Sequence, residues 1–137
     1  YIEKCLVTKD WFELFMAQNV ILDGLLYPLI YGEIVDKRWS ADGGSSLAML
    51  TSFMSDWSKE SHRWVDACIK TVAAESPENK NLMDQWLHKW IPPAQDALLP
   101  LASIAVEDDA EQLVEDVVNA FIKRLNKLGL DLTGDAS

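Results

Sequence analysis

Residues 11–35 read WFELFMAQNVILDGLLYPLIYGEIV, and wound as a helix this stretch carries apolar side chains around most of its circumference. Trp11, Phe12, Leu14, Phe15, Met16, Val20, Ile21, Leu22, Leu25, Leu26, Leu29 and Ile30 leave little polar surface, and a helix apolar on all sides is buried on all sides. The chain is therefore expected to be built around a helix from about Thr8 to Val35, with other helices covering it. Asp10 is placed to cap this helix and Glu13 to complete a capping box, while Pro28 should kink it or end a first piece near Tyr27. The run is about as long as a membrane span, but Gln18, Asn19, Asp23 and Pro28 interrupt it, so burial inside protein is expected rather than in lipid.

Beyond Val35 the composition changes. Asp36 to Ser46, with Arg38, Trp39, Ser40, Asp42, Gly43 and Gly44, reads as a connecting loop whose glycines permit positive φ. Ser45 or Ser46 should cap a second long helix, to about Ala74, with Leu47, Leu50, Phe53, Met54, Trp57, Trp64, Val65, Cys68, Ile69 and Val72 forming one broad apolar stripe. Ser76 fits the next N-cap, Pro77 the first helical position and Glu78 the favourable end of the dipole. That third helix, striped by Leu82, Met83, Trp86, Leu87 and Trp90, is expected to stop at Pro92 and Pro93. A short fourth would carry Ala97, Leu98, Leu101 and Ile104, bent at Pro100. Asp108 and Glu111 read as the capping box of a last helix, striped by Leu113, Val117, Phe121, Leu125 and Leu128 and ended by Gly129. No strand and no internal repeat is predicted. The expected fold is all-α, with two long antiparallel helices and shorter ones packed around them in one domain over residues 1–130, followed by a mobile tail at 131–137.

Composition narrows the function. Twelve basic residues against twenty-two acidic ones give a net charge of −10, which repels nucleic acid and an anionic membrane surface alike. Cys5 and Cys68 form no Cys-x-x-Cys or Cys/His spacing and read as two reduced, mostly buried thiols of a cytoplasmic protein. The chain begins at Tyr1 without a signal-peptide pattern and is read as part of a longer polypeptide. Six tryptophans among 137 residues ask either for a bulky core or for an extensive protein interface. Spacing alone favours core for Trp57 with Trp64 and for Trp86 with Trp90. The total is nevertheless too bulky for a small bundle to hide, so Trp11, Trp39, Trp57, Trp64, Trp86 and Trp90 are all candidate interface residues.

A helical bundle rich in carboxylates must be tested for a di-iron site, which takes Glu-x-x-His pairs on one helix face. Glu60 is followed at the third position by Arg63, a cation where an imidazole would have to ligate. His62 lies too far round the helix from Glu60 to share a metal with it. Asp84 and His88 are spaced i,i+4, which is more often a solvated hydrogen bond than a zinc site. No Gly-x-Ser-x-Gly, no Cys near a His and no P-loop frames other chemistry. The acidic cluster Glu107–Asp116 reads as a solvated helix N-terminus. The residues thus predict no catalytic, cofactor or metal site in this chain.

Several stretches stand together in order: Ala17-Gln18-Asn19; Asp23-Gly24-Leu25-Leu26-Tyr27-Pro28-Leu29; Asp42-Gly43-Gly44; Leu50-Thr51-Ser52-Phe53-Met54-Ser55-Asp56-Trp57; and Glu60-Ser61-His62-Arg63-Trp64-Val65-Asp66-Ala67. From about Trp11 to Leu130 the sequence resembles the β subunit of bacterial multicomponent monooxygenase hydroxylases, the phenol, toluene, alkene and methane monooxygenase group, and phenol hydroxylase above all. The resemblance implies part of a ferritin-like helical bundle and a supporting, non-catalytic subunit for O2-dependent ring hydroxylation. It implies hydroxylase α and γ subunits as partners in an α2β2γ2 assembly, with the effector protein as a further partner and the di-iron centre in α. Glu60 and Arg63 would then mark a degenerate half-site, keeping the acid and replacing the ligand histidine. Two rival readings remain open: a stand-alone helical interaction module in regulation, docking through its tryptophans and acidic last helix, and a small helical enzyme or carrier with a Trp-lined cavity.

Overall fold

The structure, a computed structural model, describes residues 1–106, 108–130 and 132. A short α1 (Ile2–Val7) leads into α2 (residues 11–44), which is α-helical over Trp11–Phe15 and Asp23–Tyr27 and opens into wider i→i+5 π turns over Met16–Leu22 and Pro28–Gly44. Then follow α3 (Ser45–Glu75), α4 (Pro77–Ala105) and α5 (Ala110–Lys127). No strand occurs among the described residues.

The sequence marks the start of α2 correctly: Asp10 Oδ1 accepts from the backbone N–H of Phe12 at 2.8 Å and of Glu13 at 3.1 Å. Glu13 does not reach back to close a capping box, because its carboxylate is drawn across to α4, accepting from Trp90 Nε1 at 2.8 Å and Lys89 Nζ at 2.6 Å. Nor does Pro28 end the helix. It keeps helical angles (φ −60, ψ −39) and stands first in the second π stretch, where its missing N–H leaves no rung unfilled.

The loop expected over Asp36–Ser46 contracts to a break at Asp42 (φ −90, ψ 18) and Gly43 (φ 95, ψ 2). The positive φ is a glycine's, and at Gly44 a Cβ would lie 2.5 Å from the carbonyl oxygen of Trp39, so the tight turn needs both glycines. Gly44 itself takes the N-cap position of α3, and Ser45 is already helical, so the expected serine cap is not made. Residues 28–44 hold their helical form through tertiary packing against α3 that local composition does not announce. Phe15 meets Trp64, Tyr27 meets Trp57 and Asp36 meets Ser55, and partners running in opposite directions along the chain make α2 and α3 an antiparallel hairpin.

Ser76 caps α4 as expected, its Oγ accepting from Asn79 N at 3.1 Å. The prolines do not stop this helix, which runs unbroken through Pro92, Pro93 and Pro100. A buried stripe of Met83, Leu87, Trp90, Ile91, Ala94, Leu98 and Ala102 passes across the proline pair without losing helical period. Pro92 sits on the exposed side, where water can take the carbonyls of His88 and Lys89 that the missing N–H groups leave free. Burial on one side thus outweighs local disfavour on the other. At α5 the predicted Asp108 box is not formed. Asp109 occupies the N-cap position without a side-chain bond, its carboxylate lying 3.7 Å from Arg38. The helix ends as expected at Gly129 (φ 87), where Leu130 N–H returns to the Leu125 carbonyl and the Leu130 side chain is buried. Of the tail expected to be mobile, 131 and 133–137 lie outside the described residues, while Leu132 packs half-buried on the core.

One core joins all four long helices: Met16, Val20, Ile21 and Leu25 of α2, Val65 and Ile69 of α3, the α4 stripe, and Leu113, Val117, Phe121 and Leu125 of α5. Each such large side chain contributes about 2 kcal/mol by leaving water. Gly24 lets α2 and α5 approach closely, since a Cβ there would fall 2.8 Å from the Phe121 ring. A stretch within Trp11–Glu75 is long and apolar enough to cross a membrane by length and composition. In the fold its Met16, Ala17, Val20, Ile21 and Leu25 are wholly buried among the other helices, the setting of a core helix.

Candidate functional site

The chemistry-bearing residues gather on α3, which presents two unlike faces. Ser58, Val65 and Ile69 are its buried residues, and His62 turns the same way. His62 Nε2 is enclosed with no hydrogen-bond partner among the described residues. Burial holds this imidazole below its usual range, and nearby Arg124 adds to the effect, outweighing the Asp23 backbone and the Asp66 carboxylate. The ring is therefore neutral at pH 7. Beside it Asp66 accepts from Arg124 Nε at 3.0 Å and Nη2 at 2.7 Å, a fork that ties α3 to α5. Across the interface Asp23 of α2 is half-buried, and burial pushes its carboxyl up.

The opposite face of α3 carries the predicted pair. Glu60 and Arg63 are both exposed and bonded to each other. They lie away from the buried side, and the residue of the Glu60-Ser61-His62-Arg63 stretch that turns inward is His62. The Arg63 guanidinium already occupies the Glu60 carboxylate, so the pair does not fit a ferrous or ferric ion. Among the described residues no three His, Cys, Asp or Glu side chains stand close enough to hold a metal. Asp84 binds Lys80 at 2.8 Å rather than His88, which is exposed. Cys5 is buried, Cys68 is partly exposed, and both are free thiols.

The tryptophans divide sharply. Trp90 is 2% exposed. It is a core residue and not an interface one, held by the Glu13 carboxylate and by the ring of Tyr1 edge-on at 5.2 Å. Trp86 is half-buried against Phe12. Trp11, Trp39, Trp57 and Trp64 remain 76%, 41%, 52% and 59% exposed, so spacing, which favoured core for Trp57 and Trp64, is overturned for them. Their rings lean edge-on against α2, Trp57 on Tyr27 at 5.4 Å and Trp64 on Phe15 at 5.7 Å. Leu50 and Phe53 continue the exposed strip along α3. Beside Trp64 an apolar groove of about 520 Å³ opens between Trp11, Phe15, Ala67 and Cys68. Chemically this surface can bind through apolar and aromatic contact. Sequence reasoning missed the Asp66–Arg124 fork and the Glu13–Trp90 bond, whose partners lie 58 and 77 residues apart. Of the inward period Ser58, His62, Val65 and Ile69, the last two belong to the predicted stripe, and the first two were passed over because they are polar.

Comparison with known proteins gives concordant results. The family model described as Methane/Phenol/Alkene Hydroxylase matches residues 1–76. The chain is 50% identical over 130 residues to the oxygenase component DmpL of a phenol 2-monooxygenase from Pseudomonas sp. (strain CF600), covering 95% of this chain and 38% of that protein. It is 27% identical to the β subunit of the hydroxylase component of a toluene-4-monooxygenase system from Ectopseudomonas mendocina, over 93% of this chain and 36% of that one. Its structure is similar to that of a xenon-pressurised phenol hydroxylase from Pseudomonas sp. OX1, with a TM-score of 0.84 at 40% identity, over 98% of this chain and 40% of that one. The chain thus spans about two fifths of the length of the relatives it matches.

Proposed function

The chain belongs to the methane/phenol/alkene hydroxylase family, and from that premise we propose that it acts as a non-catalytic β-type subunit of a multicomponent di-iron monooxygenase of the phenol or toluene type. Its partners are the hydroxylase α and γ subunits in an α2β2γ2 assembly, with the effector protein as a further contact and the cytoplasm as the compartment. The di-iron centre, which activates O2 for ring hydroxylation when present, belongs to α in this reading. The residues of the present chain supply packing and docking.

The observation that carries the proposal is the outer face of α3. A well-packed chain spends its tryptophans on burial, yet here Trp57, Trp64, Phe53 and Leu50 form an exposed apolar strip, which marks a surface made to be covered by protein. Glu60 and Arg63 lie on the same helix as a structural ion pair, at positions where a ligand-bearing relative would place Glu-x-x-His. So exposed, the pair contributes little to stability.

Co-purification tests the reading. The tagged chain, expressed with the genes that flank its own, is expected to recover a larger subunit that carries all the iron. Stoichiometric iron on this chain alone would overturn the non-catalytic role. Recovery of a regulator and never of a larger hydroxylase chain would favour the interaction module instead.

A further inference from the structure

Asn19, Asp23 and Tyr27 of α2 and Trp57, Ser61 and Trp64 of α3 enclose a cavity of about 230 Å³. The two tryptophans are each more than half exposed, and buried Ser58 and half-buried His62 complete the lining. The Asp23 carboxylate makes no hydrogen bond or ion pair among the described residues, and burial pushes it up. The histidine beside it is neutral, and Arg124 is tied to Asp66. A half-buried carboxylate without a counter-charge is costly, and the faces of Tyr27, Trp57 and Trp64 carry the negative side of the aromatic quadrupole. A single kind of group answers both: a cation with a short apolar stem.

We propose that this cavity receives an arginine or lysine side chain from a polypeptide that docks over the outer face of α3. The head group meets Asp23, the stem lies between the aromatic rings, and the polar groups of Asn19 and Ser61 are available to the remaining N–H donors. Three features favour this ligand. The chain carries a net charge of −10, the cavity is lined by two tryptophans of the exposed strip where a partner would sit, and arginine is among the side chains enriched as interface anchors in pockets. The identity of the source rests on the subunit reading above. The preference for a cation does not.

Two experiments separate these. The chain is titrated with N-acetyl-arginine amide and with its neutral isostere N-acetyl-citrulline amide, following the indole N–H resonances of Trp57 and Trp64. Saturable binding at least tenfold tighter for arginine is expected, and Asp23→Asn should remove that preference. Equal binding of the two probes overturns the site without recourse to any variant, as does a preference that survives in Asp23→Asn. In the co-purified assembly, Asp23→Asn should weaken association with the partner chain at least tenfold, and unchanged association overturns a polypeptide source. Selective arginine binding by a chain that recovers no larger subunit would sink the subunit reading and the polypeptide source while leaving the cation site standing.

Discussion

Helices α5 and α3 both carry a regular apolar stripe, but only in α5 does the stripe coincide with the core. Leu113, Val117, Phe121 and Leu125 of α5 are all buried, and its polar side is solvated. On α3 the bulkiest apolar side chains, Leu50, Phe53, Trp57 and Trp64, face outward, while the side turned to α2 includes Ser58 and His62. Periodicity reports that a helix has a surface to bury. It does not report whether that surface is buried within the chain or kept for something else.

The contrast is broken most forcefully from the α5 side. Phe121→Ala should cost about 3–5 kcal/mol, read as a shift in the urea midpoint at unchanged slope. Gly24→Ala forces a methyl against the same ring and should cost about 1–3 kcal/mol, with relief in the double variant Gly24→Ala/Phe121→Leu. A double-mutant cycle on Asp66→Asn and Arg124→Met should return a coupling of about 1 kcal/mol, because the fork is ordered and partly shielded.

A smaller effect concerns pH. The fold keeps His62 neutral and lowers its pKa below the unfolded value of 6.5. The unfolded chain therefore takes up the proton first, and stability should be intact above pH 6.5 and decline as pH falls below it. Asp23, whose pKa is raised, works in the opposite direction in more acidic solution. Urea unfolding at pH 7.5 and 5.5 should accordingly show a loss for the parent chain that is reduced in His62→Gln. Smallest of all, Leu50→Ser and Phe53→Ser on the outer face of α3 should leave unfolding within about 0.5 kcal/mol. A large loss from either would mean that this strip belongs to the chain's own core, and the comparison would fail.

Much of the fold was legible in the sequence because it is local. The caps at Asp10 and Ser76, the positive φ at Gly43 and Gly129 and the α5 stripe follow from side chains within a few residues of one another. The failures have a common cause in distant packing. The helix through Pro92 and Pro93 persists because Trp90, Ile91, Ala94 and Leu98 are anchored by α2 and α5. The loop at 36–46 becomes helix because α3 lies alongside it. Glu13 abandons its own capping box for an indole 77 residues away. At the candidate site the closeness of Glu60 to Arg63 was visible from spacing, and the division of the tryptophans into one core, one half-buried and four exposed residues was not.

The proline pair of α4 bears on the order in which the molecule is made. Two adjacent missing rungs in the middle of a helix leave residues 77–105 little capacity to nucleate and propagate as an isolated segment. Growing from its N-terminus, the chain can close the α2–α3 hairpin early, while α4 has only one of its two supporting surfaces available. The second arrives with α5, the next helix to be synthesised. α4 is thus a helix completed by its successor, and truncation before α5 should leave it unfinished in a chain that has already been translated past it.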